Sequence, residues 1–332
     1  MMISPFKKQY ALLYKVMFMV LSLIAVKPSL FGQAVESGTP QYEIKTNVDK
    51  VVIPFEMFRG DIRMIAKING KECRLLLDNG SLWDELLFFG SPTVDSLHLE
   101  ATGEIYLGDS TIDNPFIADL AEKNITVDFD QLNFKDQTGV ITRYQPGLPN
   151  PWEGADGQIS AAFFKNFITS IDFDKQIITL ETPTKAKYKV DGYVLTMKEG
   201  PHNSRTVEIE VEMENGHTQK LDFQIDLGAI YPIYLPLGKY DEIVLPKNAK
   251  KETLGIGVGI PSNTGYVGNI PKINIGGCQM ENVLTAFTPV EKSTDVYGNT
   301  MIGMPLLQKF NVRFDYFQNL LIIKPNKSFK KN

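Results

Sequence analysis

Residues 206–229 read TVEIEVEMENGHTQKLDFQIDLGA and contain the pattern that decides the fold. Apolar side chains alternate with glutamates from Thr206 to Glu214, which predicts a strand with one buried face. Asn215-Gly216 is the residue pair best suited to a tight hairpin turn, so the chain is expected to return as a second strand, Leu221 to Ile225. This strand leads directly into Asp226-Leu227-Gly228-Ala229.

The same pattern occurs earlier in the chain. Residues 62–68 alternate in the same way, and Asn69-Gly70 provides the turn. Leu75-Leu76-Leu77 then leads into Asp78-Asn79-Gly80-Ser81, 148 positions before the second motif. In both places a hairpin is expected to deliver an aspartate, and a glycine two positions later, to the end of a buried strand.

Two later segments match as well. Residues 163–180 and 306–323 share an apolar and aromatic pattern, and in both an aspartate follows a phenylalanine by five positions, at Asp172 and Asp315. These two aspartates are 143 positions apart, nearly the separation of the two motifs, and turn or ion-pair roles are expected for them. The spacing predicts two duplicated domains of about 145 residues, at 35–183 and 184–332, because a solenoid would repeat every ~20 to 50 residues.

The first 34 residues have the order of a secretory signal peptide. Lysines precede an uncharged apolar run from Val16 to Val26, and small residues follow at Gly32 and Ala34. This order predicts cleavage near Ala34. The run has 11 residues, well under the ~20 that span a bilayer. We therefore expect an exported protein, periplasmic or secreted, with no stable membrane span after cleavage.

The composition narrows the classes of function. The 332 residues are 43% hydrophobic and 22% charged, with a net charge of −5, so a disordered or polytopic membrane protein is excluded. No run of lysine and arginine suggests a nucleic-acid partner. Cys73 and Cys278 lack the spacing of a disulfide framework or a zinc site, and free, partly buried thiols are expected. The sequence predicts no cofactor, no metal site and a monomer.

Two aspartates on glycine-containing turns would be held rigidly while their oxygens stay accessible. If a pseudo-twofold axis relates the two halves, Asp78 and Asp226 meet at the interface. Two carboxyl groups in contact cannot both ionise, so they share a proton. One can then act as a general base on a water molecule while the other protonates a scissile carbonyl oxygen. Such a pair hydrolyses peptide bonds without metal or covalent intermediate.

The two motifs, Asp78-Asn79-Gly80-Ser81 and Asp226-Leu227-Gly228-Ala229, resemble the active-site motifs of the aspartic proteases, the pepsin and retropepsin group. The apolar-apolar-glycine element of that family is similar to Met301-Ile302-Gly303. In the first half, residues 156–160 are similar, with Ser160 in place of the glycine. The resemblance implies a mainly β fold of two similar β-barrel-like lobes, a cleft between them, and one catalytic aspartate from each lobe. It also implies a polypeptide substrate or ligand.

The motifs depart from the family pattern at specific positions. The family has threonine or serine after each aspartate, and its hydroxyl ties the two loops together. Asn79 offers a substitute amide, whereas the Leu227 side chain offers no hydrogen bond. Ser81 keeps a hydroxyl that can bond Asp78, and Ala229 does not, which favours Asp78 as the more acidic partner. Active-site support is therefore assigned to Asn79, Gly80, Ser81, Leu227, Gly228 and Ala229.

The resemblance also implies a flap from the first lobe that closes over the substrate. Residues 103–109, with Tyr106, are the candidate, although Tyr106 is also compatible with simple packing on a strand. Two other functions stay open. One is a catalytically degenerate relative that binds peptides or envelope components in the cleft. The other is an unrelated all-β envelope protein that binds glycan or lipid, with the aspartates as ordinary turn residues.

Overall fold

The computed structural model describes residues 41–45, 48–80, 85–107, 116–142, 152–186, 190–200, 204–257, 260–289 and 300–329. The expected signal peptide, 1–34, and the site residue Ser81 lie outside this part of the chain. In the described ranges, no helix is both long and apolar enough to cross a bilayer.

The first half of the chain folds mainly into short strands. Its elements are β1 (Gln41–Ile44), β2 (Lys50–Pro54), β3 (Glu56–Phe58), β4 (Asp61–Ile68), β5 (Lys71–Leu77), β6 (Leu86–Phe89), α1 (Pro92–Asp95), β7 (Ala101–Leu107), β8 (Phe116–Asp128), β9 (Leu132–Thr142), β10 (Gly157–Ile159), α2 (Ala161–Asn166), β11 (Ile168–Asp172) and β12 (Ile177–Glu181). Six of these strands form a closed ring in the order β9-β6-β10-β5-β4-β8, and β8 pairs back with β9.

The second half repeats this architecture. Its elements are β13 (Tyr193–Glu199), β14 (Arg205–Glu212), β15 (Thr218–Asp226), β16 (Ile233–Leu237), β17 (Lys250–Gly257), β18 (Ile260–Ile275), β19 (Cys278–Pro289), β20 (Met301–Gly303), α3 (Met304–Leu307), β21 (Phe310–Asp315) and β22 (Leu320–Pro325). The ring order is β18-β19-β16-β20-β15-β14, and it closes where β14 pairs with β18. The mainly β, two-barrel architecture expected from the sequence is confirmed.

Strand directions repeat between the two barrels. β5, which leads into Asp78, runs parallel to β10, and β15, which ends at Asp226, runs parallel to β20. β6 pairs in parallel with β9, as β16 does with β19. The remaining ring pairs are antiparallel in both barrels. The two halves therefore share connectivity as well as sequence pattern.

One sheet joins the two lobes, in the strand order β13-β22-β21-β11-β12-β2. At its centre β11 pairs antiparallel with β21, and Ser170 lies opposite Arg313. These two residues are 143 positions apart, the separation between corresponding residues at the lobe ends. A residue that pairs with its own counterpart marks a local twofold axis, which therefore passes between β11 and β21.

The alternation that predicts the strands matches their buried faces. Val207, Ile209, Val211 and Met213 are at most 1% exposed, while the intervening glutamates reach solvent. Such burial contributes roughly 1.5 to 3 kcal/mol for each large apolar side chain. The Asn69-Gly70 turn has positive φ at both residues, 48° and 84°, as a two-residue hairpin turn requires.

The second hairpin is wider than the sequence predicts. The Met213 N–H donates to the His217 carbonyl, so the loop holds residues 214–216, with positive φ at Gly216. β14 accordingly ends at Glu212 rather than Glu214, and β15 begins at Thr218 rather than Leu221. A glycine in the left-handed region is the usual residue at the end of such a three-residue loop.

Asp172 and Asp315 have the structural roles expected from the sequence. Asp172 accepts the Lys175 N–H at 3.0 Å and pairs with its ammonium group at 2.7 Å. Asp315 accepts the backbone N–H groups of Phe317 and Gln318. Both carboxylates therefore stabilise the turn that follows their strand.

Candidate active site

The two motif aspartates lie at equivalent places in the two barrels. Asp78 directly follows β5, and its N–H donates to the carbonyl of Ile159 at the end of β10. Asp226 is the last residue of β15 and pairs with Gly303 at the end of β20. The short parallel strand in each lobe thus fixes the backbone from which the carboxyl group projects.

Each aspartate is bonded within its own loop in the same way. The Gly80 N–H donates to Asp78 Oδ1 at 2.8 Å, and the Gly228 N–H donates to Asp226 Oδ1 at 2.7 Å. These short loops turn each carboxyl group toward the other lobe. The glycine two positions after each aspartate therefore supplies a donor for its own carboxyl group.

The two carboxyl groups meet at the interface between the lobes. A Cβ built on Gly80 would lie 2.3 Å from Asp226 Cγ, and one built on Gly228 would lie 2.8 Å from Asp78 Oδ2. Each carboxyl group thus occupies the space beside the glycine of the opposite loop, and the two groups hydrogen-bond each other. Both aspartates are half-buried.

Burial and proximity make the pair titrate as a unit. Burial, and next the negative charge of Asp78, hold the pKa of Asp226 well above its ordinary value. Burial also raises the pKa of Asp78, and hydrogen bonds from the Gly80 N–H and from the side chain of Asp226 oppose this effect. The two carboxyl groups therefore share one proton.

Asn79 ties the first loop to the second lobe through both ends of its side-chain amide. Its Oδ1 accepts the backbone N–H of Leu227 at 2.9 Å, and its Nδ2 donates to the Tyr316 hydroxyl at 3.3 Å. Asn79 is 1% exposed, and Arg205 lies 5.0 Å from the centre of the Tyr316 ring. The Leu227 side chain is buried in the apolar core and returns no such bond. At the position that follows each aspartate, the connection is thus one-sided.

Three further residues at this site were not singled out from the sequence. Gln224 Nε2 donates across the interface to the Gly80 carbonyl at 3.0 Å. The Gln158 side-chain amide lies within reach of the Asp78 carboxyl group and lowers its pKa. Asp61 lies close enough for the charge of Asp78 to add to the effect of burial, which raises the Asp61 pKa. For Gln224 the sequence does carry a signal: it stands two residues before Asp226, so both side chains project from the same face of the strand.

The resemblance to an apolar-apolar-glycine element has a structural counterpart at Gly303. A Cβ on this residue would lie 2.2 Å from the Tyr231 carbonyl oxygen and 2.6 Å from the Ala229 carbonyl oxygen. The N–H of Met304 donates to that same Ala229 carbonyl at 3.0 Å. Close backbone approach therefore requires glycine here, and Ala229 contributes its backbone to the loop support.

The flap candidate falls on a hairpin, which β7 and β8 form and in which Leu107 pairs with Phe116. The backbone of Tyr106 pairs with Ile117 within it. Residues 108–115, which include the end of the predicted segment 103–109, lie outside the described part of the chain. The assignment of Tyr106 as a flap residue stays a prediction.

The described residues contain no group of three or more His, Cys, Asp or Glu side chains placed to hold a metal ion. Cys73 and Cys278 form no disulfide in the described part of the chain, as expected, and both are fully rather than partly buried.

Comparisons with known proteins agree with this architecture. The crystal structure of an aspartic proteinase from Irpex lacteus is similar over 84% of this chain and 98% of the proteinase, with a TM-score of 0.51 and 11% sequence identity. No protein-family model and no curated protein sequence matches the chain. At 11% identity the likeness shows the fold alone, which is a two-lobed pepsin-like fold.

Proposed function

We propose that this protein is an exported aspartic peptidase-like hydrolase, in which Asp78 and Asp226 activate a water molecule between them. The contact between the two carboxyl groups, one from each lobe, is the observation that carries the proposal. An isolated aspartate in a turn would bond local amides, and no second carboxyl group would have to stand against it. The reading of both aspartates as ordinary turn residues therefore lacks support.

In the proposed chemistry Asp78 is the ionised member of the pair and Asp226 carries the proton, because burial and the charge of Asp78 hold the Asp226 pKa well above its ordinary value. The Asp78 carboxylate takes a proton from water as the water oxygen attacks the scissile carbonyl carbon, and Asp226 gives its proton to the carbonyl oxygen. The proton on Asp78 then passes to the leaving nitrogen as the carbon–nitrogen bond breaks. Asp226 recovers a proton from a hydroxyl of the diol, so the pair returns to its starting state.

Other features of the chain are compatible with a polypeptide substrate. The resemblance implies a cleft between the two barrels, which would suit an extended chain, and the hairpin of β7 and β8 is the element from which a flap would close. The signal-like segment at 1–34 leads us to propose that the enzyme works outside the cytoplasm, in the periplasm or as a secreted protein.

Hydrolysis of an unfolded protein between pH 3 and 7 tests this function, with Asp78→Asn as the comparison. Removing the general base should lower kcat/KM by about 10²- to 10⁴-fold. Asp172→Asn is the matched control, because Asp172 is an aspartate at a strand end that bonds only its own turn and Lys175. Equal cleavage by the wild type and Asp78→Asn would show that the pair is not catalytic.

A catalytically degenerate protein that binds peptides in the same cleft is the second candidate. The one-sided connection at Leu227 favours it, because a loosely held pair loses rate through misplacement of ~1 Å. The double variant Asn79→Thr with Leu227→Thr tests it. A large gain of cleavage indicates a decayed enzyme, and peptide binding without cleavage in both forms supports a binding protein.

A further inference from the structure

The duplication allows the surroundings of the two aspartates to be compared position by position. Gln158 on β10 pairs with Leu76, two residues before Asp78, and Met301 on β20 pairs with Gln224, two residues before Asp226. Gln158 and Met301 are therefore structural counterparts. An amide stands beside one aspartate where a thioether, which has no N–H to donate, stands beside the other.

The position of Gln158 directs its amide toward Asp78. Leu76 and Asp78 project from the same face of the backbone because they are two residues apart. Gln158 lies directly beside Leu76 in the sheet and is 7% exposed. Its side-chain amide lies within reach of the Asp78 carboxyl group, and its effect there is to lower the Asp78 pKa. Both carboxyl groups also face backbone N–H groups, those of Gly80 and Gly228 at Asp78 and those of Gly228 and Ala229 at Asp226, so the amide is what distinguishes the two surroundings.

We propose that Gln158 is a positioning residue that makes the pair asymmetric, because its amide donates to the Asp78 carboxylate and so assigns the shared proton to Asp226. This inference rests on the proposed function only where it names Asp78 as the base. The hydrogen bond favours the ionised form of the group that accepts it. The lobe that supplies the amide therefore supplies the base.

Other charged groups of the described chain also face this pair. Asp61 on β4 lies near Asp78, and Arg63 Nη2 lies 3.9 Å from Asp61 Oδ2. Tyr234 on β16 faces Asp226, and burial raises the Tyr234 pKa to about 12, so it stays neutral over the working range. Exchanging only residues 158 and 301 leaves all of these groups in place. A change in the titration of the two aspartates can then be attributed to the side-chain amide.

The test is a titration of the two carboxyl groups by NMR in protein labelled with ¹³C-aspartate, with signals assigned from Asp78→Asn and Asp226→Asn. Gln158→Met removes the donor at similar volume. We expect the ionisation constant of Asp78 to fall roughly tenfold, the effect of losing one hydrogen bond to a charged group. Combining Gln158→Met with Met301→Gln should reverse the order in which the two groups ionise. Met301→Leu, which neither adds nor removes a donor, should leave both constants unchanged.

An unchanged Asp78 titration in folded Gln158→Met would overturn the proposal. If that variant does not fold, Met301→Gln decides, because it should raise the ionisation constant of Asp226, and no rise would also overturn it. The titration needs no substrate. Absence of peptidase activity together with the expected titration would therefore reject the proposed function and support the asymmetry.

If the protein cleaves peptides, the pH dependence of kcat/KM provides a second test of the role of Gln158. Gln158→Met should move the acidic limb of kcat/KM to higher pH and leave KM on the plateau nearly unchanged. A merely structural role for Gln158 would lower activity equally at every pH.

Discussion

The carboxyl group of Asp226 fills the space that a side chain on Gly80 would occupy, with Cγ 2.3 Å from the position of a Cβ there. The reciprocal relationship holds between Asp78 and Gly228. The glycines of the two motifs are therefore required by the opposite lobe as well as by their own turns.

Gly80→Ala should separate the two carboxyl groups. The three nearest atoms belong to the Asp226 carboxyl group, so this side chain must rotate away or the loops must move apart, at a cost of about 1 to 3 kcal/mol in the free energy of unfolding. Displacement of the pair by ~1 Å should lower peptidase activity roughly 100-fold. Gly103→Ala is the stability control, because a Cβ there meets nothing within 4 Å. Equal melting temperatures for the two variants would contradict the contact.

Asp226→Asn should change how stability depends on pH. The folded-state pKa of Asp226 is raised, so its contribution to stability is full below the ordinary carboxyl pKa. That contribution is lost as the pH rises through the raised value. The variant should therefore gain melting temperature relative to the wild type between pH 4 and 8. A difference that stays constant over this range would contradict the burial of a shared proton.

Asn79→Ala should loosen the connection between the lobes. It leaves the buried Leu227 N–H without its acceptor, which costs about 1 to 3 kcal/mol in the free energy of unfolding. Asn79→Thr restores an acceptor and should recover part of the loss in chemical denaturation. Tyr316→Phe removes only the contact to Nδ2 and should cost about 0.5 to 1.5 kcal/mol. A larger effect for Tyr316→Phe than for Asn79→Ala would contradict the ranking.

Cys73 and Cys278 should resist alkylation in the native protein. Cys73 is 1% exposed and Cys278 is 5% exposed, and burial raises the Cys73 pKa to about 11. The reactive thiolate of Cys73 is therefore scarce at pH 8, and both sulfur atoms are inaccessible. Mass spectrometry after iodoacetamide treatment should find no label in native protein and two labels after denaturation. Rapid native labelling of Cys73 would show that the first barrel opens.

The sequence predicts those parts of the fold that depend on local pattern. Alternation over residues 62–68 and 206–212 identifies the buried faces, because a strand places successive side chains on opposite sides. The turn at Asn69-Gly70 follows from residue type. Asn215-Gly216 lies in a wider loop because the backbone pairing of β14 with β15 already ends at Glu212. A glycine at position 216 suits both the two-residue and the three-residue turn.

The parts of the site that were missed depend on contacts between distant strands. Gln158 reaches Asp78 only because a three-residue strand inserts beside β5, and Tyr316 reaches Asn79 from the opposite lobe, 237 positions along the chain. Both residues stand in segments that the duplication repeats, 156–160 and 306–323, but the repeat does not indicate which distant residue each side chain contacts. The meeting of Asp78 with Asp226 was predictable because duplication supplies the axis that brings equivalent residues together.

The pairing of Ser170 with Arg313 has a consequence for half molecules. If the chain is cut between β12 and β13, β11 and β21 each become an open strand edge with unpaired backbone groups. Fragments 35–183 and 184–332 would then carry complementary edges, whereas each could also pair with a second copy of itself in the same antiparallel register. Split halves should consequently reassemble on mixing, in competition with self-pairing and aggregation.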